Sequence, residues 1–175
     1  MKLLFIFLFL LSFELFGQKH DSILFKRIIE KPVFRDYQDT EYYSNGNIKF
    51  VGRIIRKQFD DFDDIVIPIG LSKRYYYNGQ LMEYELCTNN GIQEKVISFY
   101  QNGNKELSII YDTTSRMVVK AYWSVVTWYP SKFYIIKYRV SGIIKFEGRK
   151  YKHKKVGDWI YYDRQGNIKK RNYYY

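Results

Sequence analysis

The chain closes on YYDRQGNIKKRNYYY, Tyr161 to Tyr175, and the reading of this stretch decides the fold. Its glycine, Gly166, has Tyr162 four residues before it, polar Gln165 immediately before it and apolar Ile168 two residues after it. The same frame surrounds four further glycines. Tyr42 precedes Asn45-Gly46, Tyr75 precedes Asn78-Gly79, Phe99 precedes Asn102-Gly103, and Tyr138 precedes Ser141-Gly142. Two residues beyond these glycines stand Ile48, Leu81, Lys105 and Ile144, all but one apolar. The closing stretch is one copy of a repeat.

Spacing carries the reading outward. Gly79 to Gly103 and Gly142 to Gly166 each span 24 residues, and Gly91 falls midway in the first interval as KHKK around Lys154 does in the second. Gly52 and Gly148 follow a repeat glycine by six residues, and Gly70 and Gly157 precede one by nine. Asn-Gly between aromatic-rich runs signals a hairpin, and predicts a two-residue type I′ turn with positive φ at both residues. A 12-residue step holds one strand and its turn. A lone hairpin is barely stable in water, so successive hairpins must pair edge to edge. Ile48 with Phe50, Leu107 with Ile109 and Tyr111, and Trp159 with Tyr161 alternate at period two, which predicts that the aromatics cover one face. The expected fold is all-β: an elongated antiparallel meander of hairpin repeats in a single twisted sheet.

That sheet should occupy residues 41–175, after a lead segment over 18–40. Two stretches interrupt the frame. Residues 53–69, with DDFDD, read as an inserted loop. Residues 112–137 are rich in β formers and read as an insertion or a worn copy, its first turn near Thr114-Ser115. Composition agrees with a packed β domain: 46% of the 175 residues are hydrophobic and 27% charged, which argues against disorder. The 19 tyrosines and 13 phenylalanines suit half-buried strand positions.

The pattern resembles the MORN repeat family in its bacterial variant form. The stretch KVGDWIYYDRQGNIKK, from Lys155 to Lys170, carries a Gly-x-Trp start in Gly157 and Trp159, paired tyrosines, the turn glycine and the apolar residue beyond it. GLSKRYYYNGQL repeats this with Gly70 kept and Ser72 in place of the tryptophan. Five units are recognisable. The resemblance implies a scaffold or membrane-adjacent binding module without turnover. Bacterial proteins similar to the variant repeat are also often labelled antitoxin components, which implies a second role, neutralising a toxin by direct binding.

No catalytic constellation emerges from the residues. Asp60, Asp61, Asp63 and Asp64 lack the glycine and closing glutamate of a calcium loop. His20, His153 and Cys87 cannot assemble a zinc set or support a serine triad, and no carboxylate pair stands out for glycoside hydrolysis. The expectation is a protein that is not an enzyme and holds no cofactor or metal. Charges on both faces of IKKRNYYY and IIKFEGRK argue against a lipid-embedded barrel. The single cysteine permits no internal disulfide and reads as a small buried side chain.

Charge is more informative. Net charge is +11, and between Lys145 and Arg171 ten Lys or Arg face only three acidic residues. Lys150, Lys152, Lys154 and Lys155, with Lys169, Lys170 and Arg171, form the candidate site for an anionic partner. If the last strands pair about the KHKK and RQGN turns, these groups should gather around one end of the sheet. The bland reading is a lysine-guarded sheet edge; edges left open would also allow homo-oligomers.

MKLLFIFLFLLSFELFGQ opens the chain with Lys2, an apolar run from Leu3 to Leu11 and small Gly17, the layout of a secretory signal peptide over residues 1–17. No second apolar run reaches spanning length, so the mature chain should have no transmembrane segment. Export to the periplasm or beyond makes nucleic acid an improbable partner and points to a protein or an anionic envelope component. It also counts against a cytoplasmic antitoxin, though not against immunity to an exported toxin.

Overall fold

Each repeat glycine closes one kind of turn. In the first, the Gly46 amide donates to the Tyr43 carbonyl at 2.9 Å and the Tyr43 amide donates to the Asn47 carbonyl at 2.8 Å. The same two bonds recur around Gly79, Gly103 and Gly142. Only the glycine has positive φ, between 84° and 93° at the five repeat positions; the residue before it does not. This is a three-residue loop, a type I turn followed by a left-handed glycine, and it replaces the expected type I′ turn. The polar residue before the glycine has a separate task. Oδ1 of Asn45, Asn78 and Asn102 each accepts the backbone amide just beyond the glycine, at 3.1 Å.

The computed structural model describes residues 26, 28, 30–59, 63–115, 117–122, 125–152 and 154–175. Twelve strands follow in order: β1 Val33–Tyr42, β2 Ile48–Phe59, β3 Asp63–Tyr75, β4 Leu81–Cys87, β5 Gln93–Phe99, β6 Lys105–Tyr111, β7 Met117–Tyr122, β8 Val125–Pro130, β9 Lys132–Tyr138, β10 Ile144–Tyr151, β11 Lys154–Tyr162 and β12 Ile168–Tyr174. The motif aromatics Tyr42, Tyr75, Phe99, Tyr138 and Tyr162 each end the strand before their turn, and the residue two beyond each glycine begins the next. Ten strands form one antiparallel meander, β1-β2-β3-β4-β5-β6-β9-β10-β11-β12, with β1 and β12 as open edges. It is not closed into a barrel. The five repeat-glycine turns lie at one end of the sheet, and the connections between hairpins, among them a turn of the same kind at Gly91, lie at the other.

The junctions between hairpins share one register. Phe50 faces Arg74, Glu83 faces Ser98, Leu107 faces Lys137 and Phe146 faces Tyr161. In every case the residue four after one turn glycine meets the residue five before the next. Side chains also tie hairpin to hairpin. The Tyr43 hydroxyl donates to the Tyr75 carbonyl at 2.7 Å, Tyr76 to Phe99 at 2.7 Å and Tyr100 to Tyr138 at 3.0 Å, and Arg139 Nη2 donates to the Tyr162 carbonyl at 2.9 Å. The residue three before each glycine thus binds the carbonyl four before the next. In the last unit that residue is Asp163, which instead accepts the Gln165 and Asn167 amides of its own turn.

Two expectations change. Residues 53–69 are not an inserted loop. The described residues of this stretch, 53–59 and 63–69, are the outer halves of β2 and β3, paired from Arg53↔Ile69 to Phe59↔Asp63, because IIRK and IVIPI bury isoleucines against each other. Ile55, Ile65, Ile67 and Ile69 form the main core cluster there, together with Ile28 from the segment before β1. Within 112–137, residues 117–122 and 125–130 are not a worn copy in the row. The turn at Asp112–Ser115 exists, with the Ser115 amide on the Asp112 carbonyl at 2.9 Å, but β7 and β8 then leave the meander. β8 meets β3 in parallel at Val66↔Val125, beyond the reach of shorter β4. The path resumes with β9 beside β6.

The aromatics are not confined to one face either. Trp159 and Tyr161 pack with Phe146, at ring centroid distances of 5.7 and 6.2 Å. Tyr162, next along the strand and so on the opposite face, donates its hydroxyl to Glu147. The signal segment over 1–17, together with His20, Asp60, Asp61 and His153, lies outside the described residues. Among the described residues no helix is long and apolar enough to cross a membrane.

Candidate anion-binding surface

β11 separates the basic residues that the sequence placed together. Lys150 faces Lys155 and Tyr151 faces Lys154 at the connection end, whereas Tyr161 faces Lys170 near the Gly166 turn. At ~3.3 Å per residue these two levels stand roughly 20 Å apart, about twice the screening length at 0.1 M salt. Lys169, Lys170 and Arg171 therefore belong to the β12 edge. Lys150, Lys152 and Lys154 belong to the opposite end. The expected single cluster is two, because the KHKK and RQGN turns terminate opposite ends of one strand.

Lys155 leaves the set for a different reason. Its ammonium lies 4.7 Å from the Trp159 ring centroid, 5.2 Å from that of Tyr161 and 5.3 Å from that of Tyr174, and it donates to the Tyr161 hydroxyl at 2.7 Å. The hydrogen bond to Tyr161 raises its pKa. Rings that hold a cation this closely use it for packing. Lys155 is a lid on buried Trp159.

The connection end holds a groove of about 700 Å³ between β6, β9, β10 and β11. Ile110, Phe133, Tyr151 and Val156 give it apolar walls, and Lys132, Arg149 and Lys150 line it too. Arg149 and Lys150 have no ion-pair partner among the described residues. Asp112, also in the lining, has its carboxyl held below the ordinary range by the Thr114 side chain, with a smaller contribution from Lys132. Sequence reasoning found Lys150 here but missed Lys132 and Arg149 as members of one site. Nothing in the local sequence signals that pairing, since Lys132 reaches the groove only after the β7–β8 excursion.

A second groove, about 310 Å³, lies over β1 to β4, and its lining charges are largely self-neutralised. Arg74 meets Glu83 at 2.5 Å and buried Glu85 at 3.7 Å, and Lys49 meets Glu41 at 2.9 Å. Glu85 also accepts from Gln93 and from the Cys87 thiol. Cys87 is buried, and burial first, then Glu85, pushes its thiol pKa up. It is a packed, unreactive side chain, as the sequence suggested.

Comparison with protein-family models, curated proteins and solved structures finds no match to this chain. The likeness to MORN repeats therefore rests on the sequence motifs alone.

Proposed function

We propose that the chain is an exported, non-catalytic, MORN-like binding scaffold that recognises an anionic envelope component. One observation carries the reading: a large apolar-walled groove lined by Lys132, Arg149 and Lys150, two of which lack any ion-pair partner among the described residues. Cations left uncompensated beside an apolar concavity attract an anionic surface and offer its apolar part a place to rest. Each well-placed basic residue contributes roughly 1 kcal/mol toward an anionic membrane, fading within a Debye length.

Co-sedimentation with anionic and neutral vesicles at low and raised salt tests this. Binding should be confined to anionic vesicles and weaken with salt. Arg149→Glu with Lys150→Glu should abolish it, while Lys155→Ala should lower stability and leave binding. A wild-type chain that ignores anionic vesicles at low salt removes the proposal. Export has its own test, intact mass of the protein from its native host, with Gln18 as the expected first residue.

A further inference from the structure

The invariant register has a consequence at the two open edges. The row of facing residues that crosses every junction begins at Glu41 on β1 and ends at Lys170 on β12. The adjacent row begins at Thr40 and ends at Arg171. β1 runs toward its turn and β12 runs away from its own, so β12 of one copy beside β1 of another restores the antiparallel relation of every internal junction.

We propose that copies of this chain join head to tail through these edges, with Lys170 facing Glu41 of the next copy. Charge selects this pairing over the alternatives. β12 carries Lys169, Lys170 and Arg171 and no acid, while β1 carries Asp36, Asp39 and Glu41 against Arg35. Two β12 edges, or two β1 edges, would set like charges opposite each other, which destabilises a strand pair; unlike edges gain. The contact is therefore heterologous, and it extends into an open chain of copies rather than closing as a symmetric dimer. Glu41 remains about half exposed despite its contact with Lys49, so it can face a second cation. Apolar side chains already stand exposed on both edges: Val33, Phe34 and Tyr42 on β1, Ile168 and Tyr173 on β12.

The tyrosine ladder says how strong the contact is. At an internal junction a Tyr or Arg three before the glycine binds the next hairpin's carbonyl. At the β12 edge that position is Asp163, which cannot donate and is engaged in its own turn. The intermolecular junction lacks one bond that the internal ones have. Assembly is accordingly weaker than folding and depends on concentration.

Sedimentation velocity of the full chain at low salt, over a range of concentrations, should show growth beyond a dimer. Glu41→Lys or Lys170→Glu alone should raise the concentration for half-assembly by about tenfold, and the two together in one chain should restore it. Melting curves check that each variant folds. Should a reversal variant fail to fold, a second measurement decides: a Glu41→Cys chain mixed with a Lys170→Cys chain should form a mixed disulfide under mild oxidation. A chain that stays monomeric throughout overturns the proposal. So does a closed dimer indifferent to the single reversals, a double reversal that restores nothing, or a mixture that gives no mixed disulfide.

Discussion

Gly103 and Gly148 show two different reasons for a glycine. Gly103 has φ of 84°, and a Cβ there would meet nothing within 4 Å. Its need is conformational, for a left-handed backbone. Gly148 has no such φ, but a Cβ there would sit 2.4 Å from the Trp159 indole, which is only 1% exposed. Its need is space. Gly52 is the equivalent site three units earlier, where the Phe50 ring and Ser72 crowd the same position at 2.7 Å. Substitution should separate the two classes. Gly103→Val should cost more than ~1 kcal/mol, and Gly103→Asn much less, because asparagine tolerates the left-handed region. Gly148→Ala should cost about 1–3 kcal/mol through displacement of the indole, with a changed near-ultraviolet circular dichroism signal, and Gly148→Asn should be worse still. Equal melting temperatures for Asn at both sites would contradict the distinction. The six-residue offset of Gly52 and Gly148 was legible as a regularity in the sequence, but its cause was not, because the ring that fills the space comes from elsewhere in the chain.

At the scale of the hairpin, turn position was legible and turn type was not. Asn-Gly is shared by the two-residue I′ turn and the three-residue turn with a left-handed glycine; only the carbonyl that closes the loop tells them apart. The position three before each glycine carries no single signature in the sequence: Tyr43, Tyr76 and Tyr100 recur there, but Arg139 and Asp163 break the chemical pattern. What Arg139 keeps is the donor, and what Asp163 loses is a neighbour to donate to. The groove was the least legible feature. Lys150 was named as a site residue, but Lys132 sits on the far side of β7–β8, an excursion whose sequence differs little from a strand pair of the meander. The ladder makes a direct prediction. Tyr100→Phe removes one hydroxyl from the Tyr138 carbonyl and should destabilise the protein by about 0.5–1.5 kcal/mol. Tyr43→Phe, two junctions away, should add to it almost independently. A denaturant midpoint unmoved in both variants would mean that the ladder contributes nothing beyond the strand pairing.

Across the whole molecule, acid and array length set how stability is distributed. Asp36 is held below the ordinary Asp value of 3.8 by its hydrogen bond to Arg53, and Asp112 by the Thr114 side chain. Asp163 is also lowered, where amides of its own turn outweigh the opposing effect of burial. Depressed carboxylates stabilise the fold above their unfolded value and lose that contribution as pH falls through the folded one. Thermal stability should thus be flat from neutral pH to about pH 5 and decline below about pH 4; a decline already evident at pH 6 would point to other groups. Array position matters as well. In a meander most strands touch only their neighbours, so stability is close to a sum of local terms. β3 is an exception, paired with β2, β4 and β8 and packed against Ile28, whereas β12 pairs only β11. Amide exchange should be slowest in β3 and fastest in β12. Gly166 has φ of 93°, so Gly166→Val should strain the last turn and speed exchange in β12 and the facing half of β11. β3 should keep its protection, since five strands of the path, β4, β5, β6, β9 and β10, lie between it and the β11–β12 hairpin. If β3 amides instead exchange faster by the same factor as those of β12, the sheet opens as one unit and a repeat-by-repeat account of its stability fails.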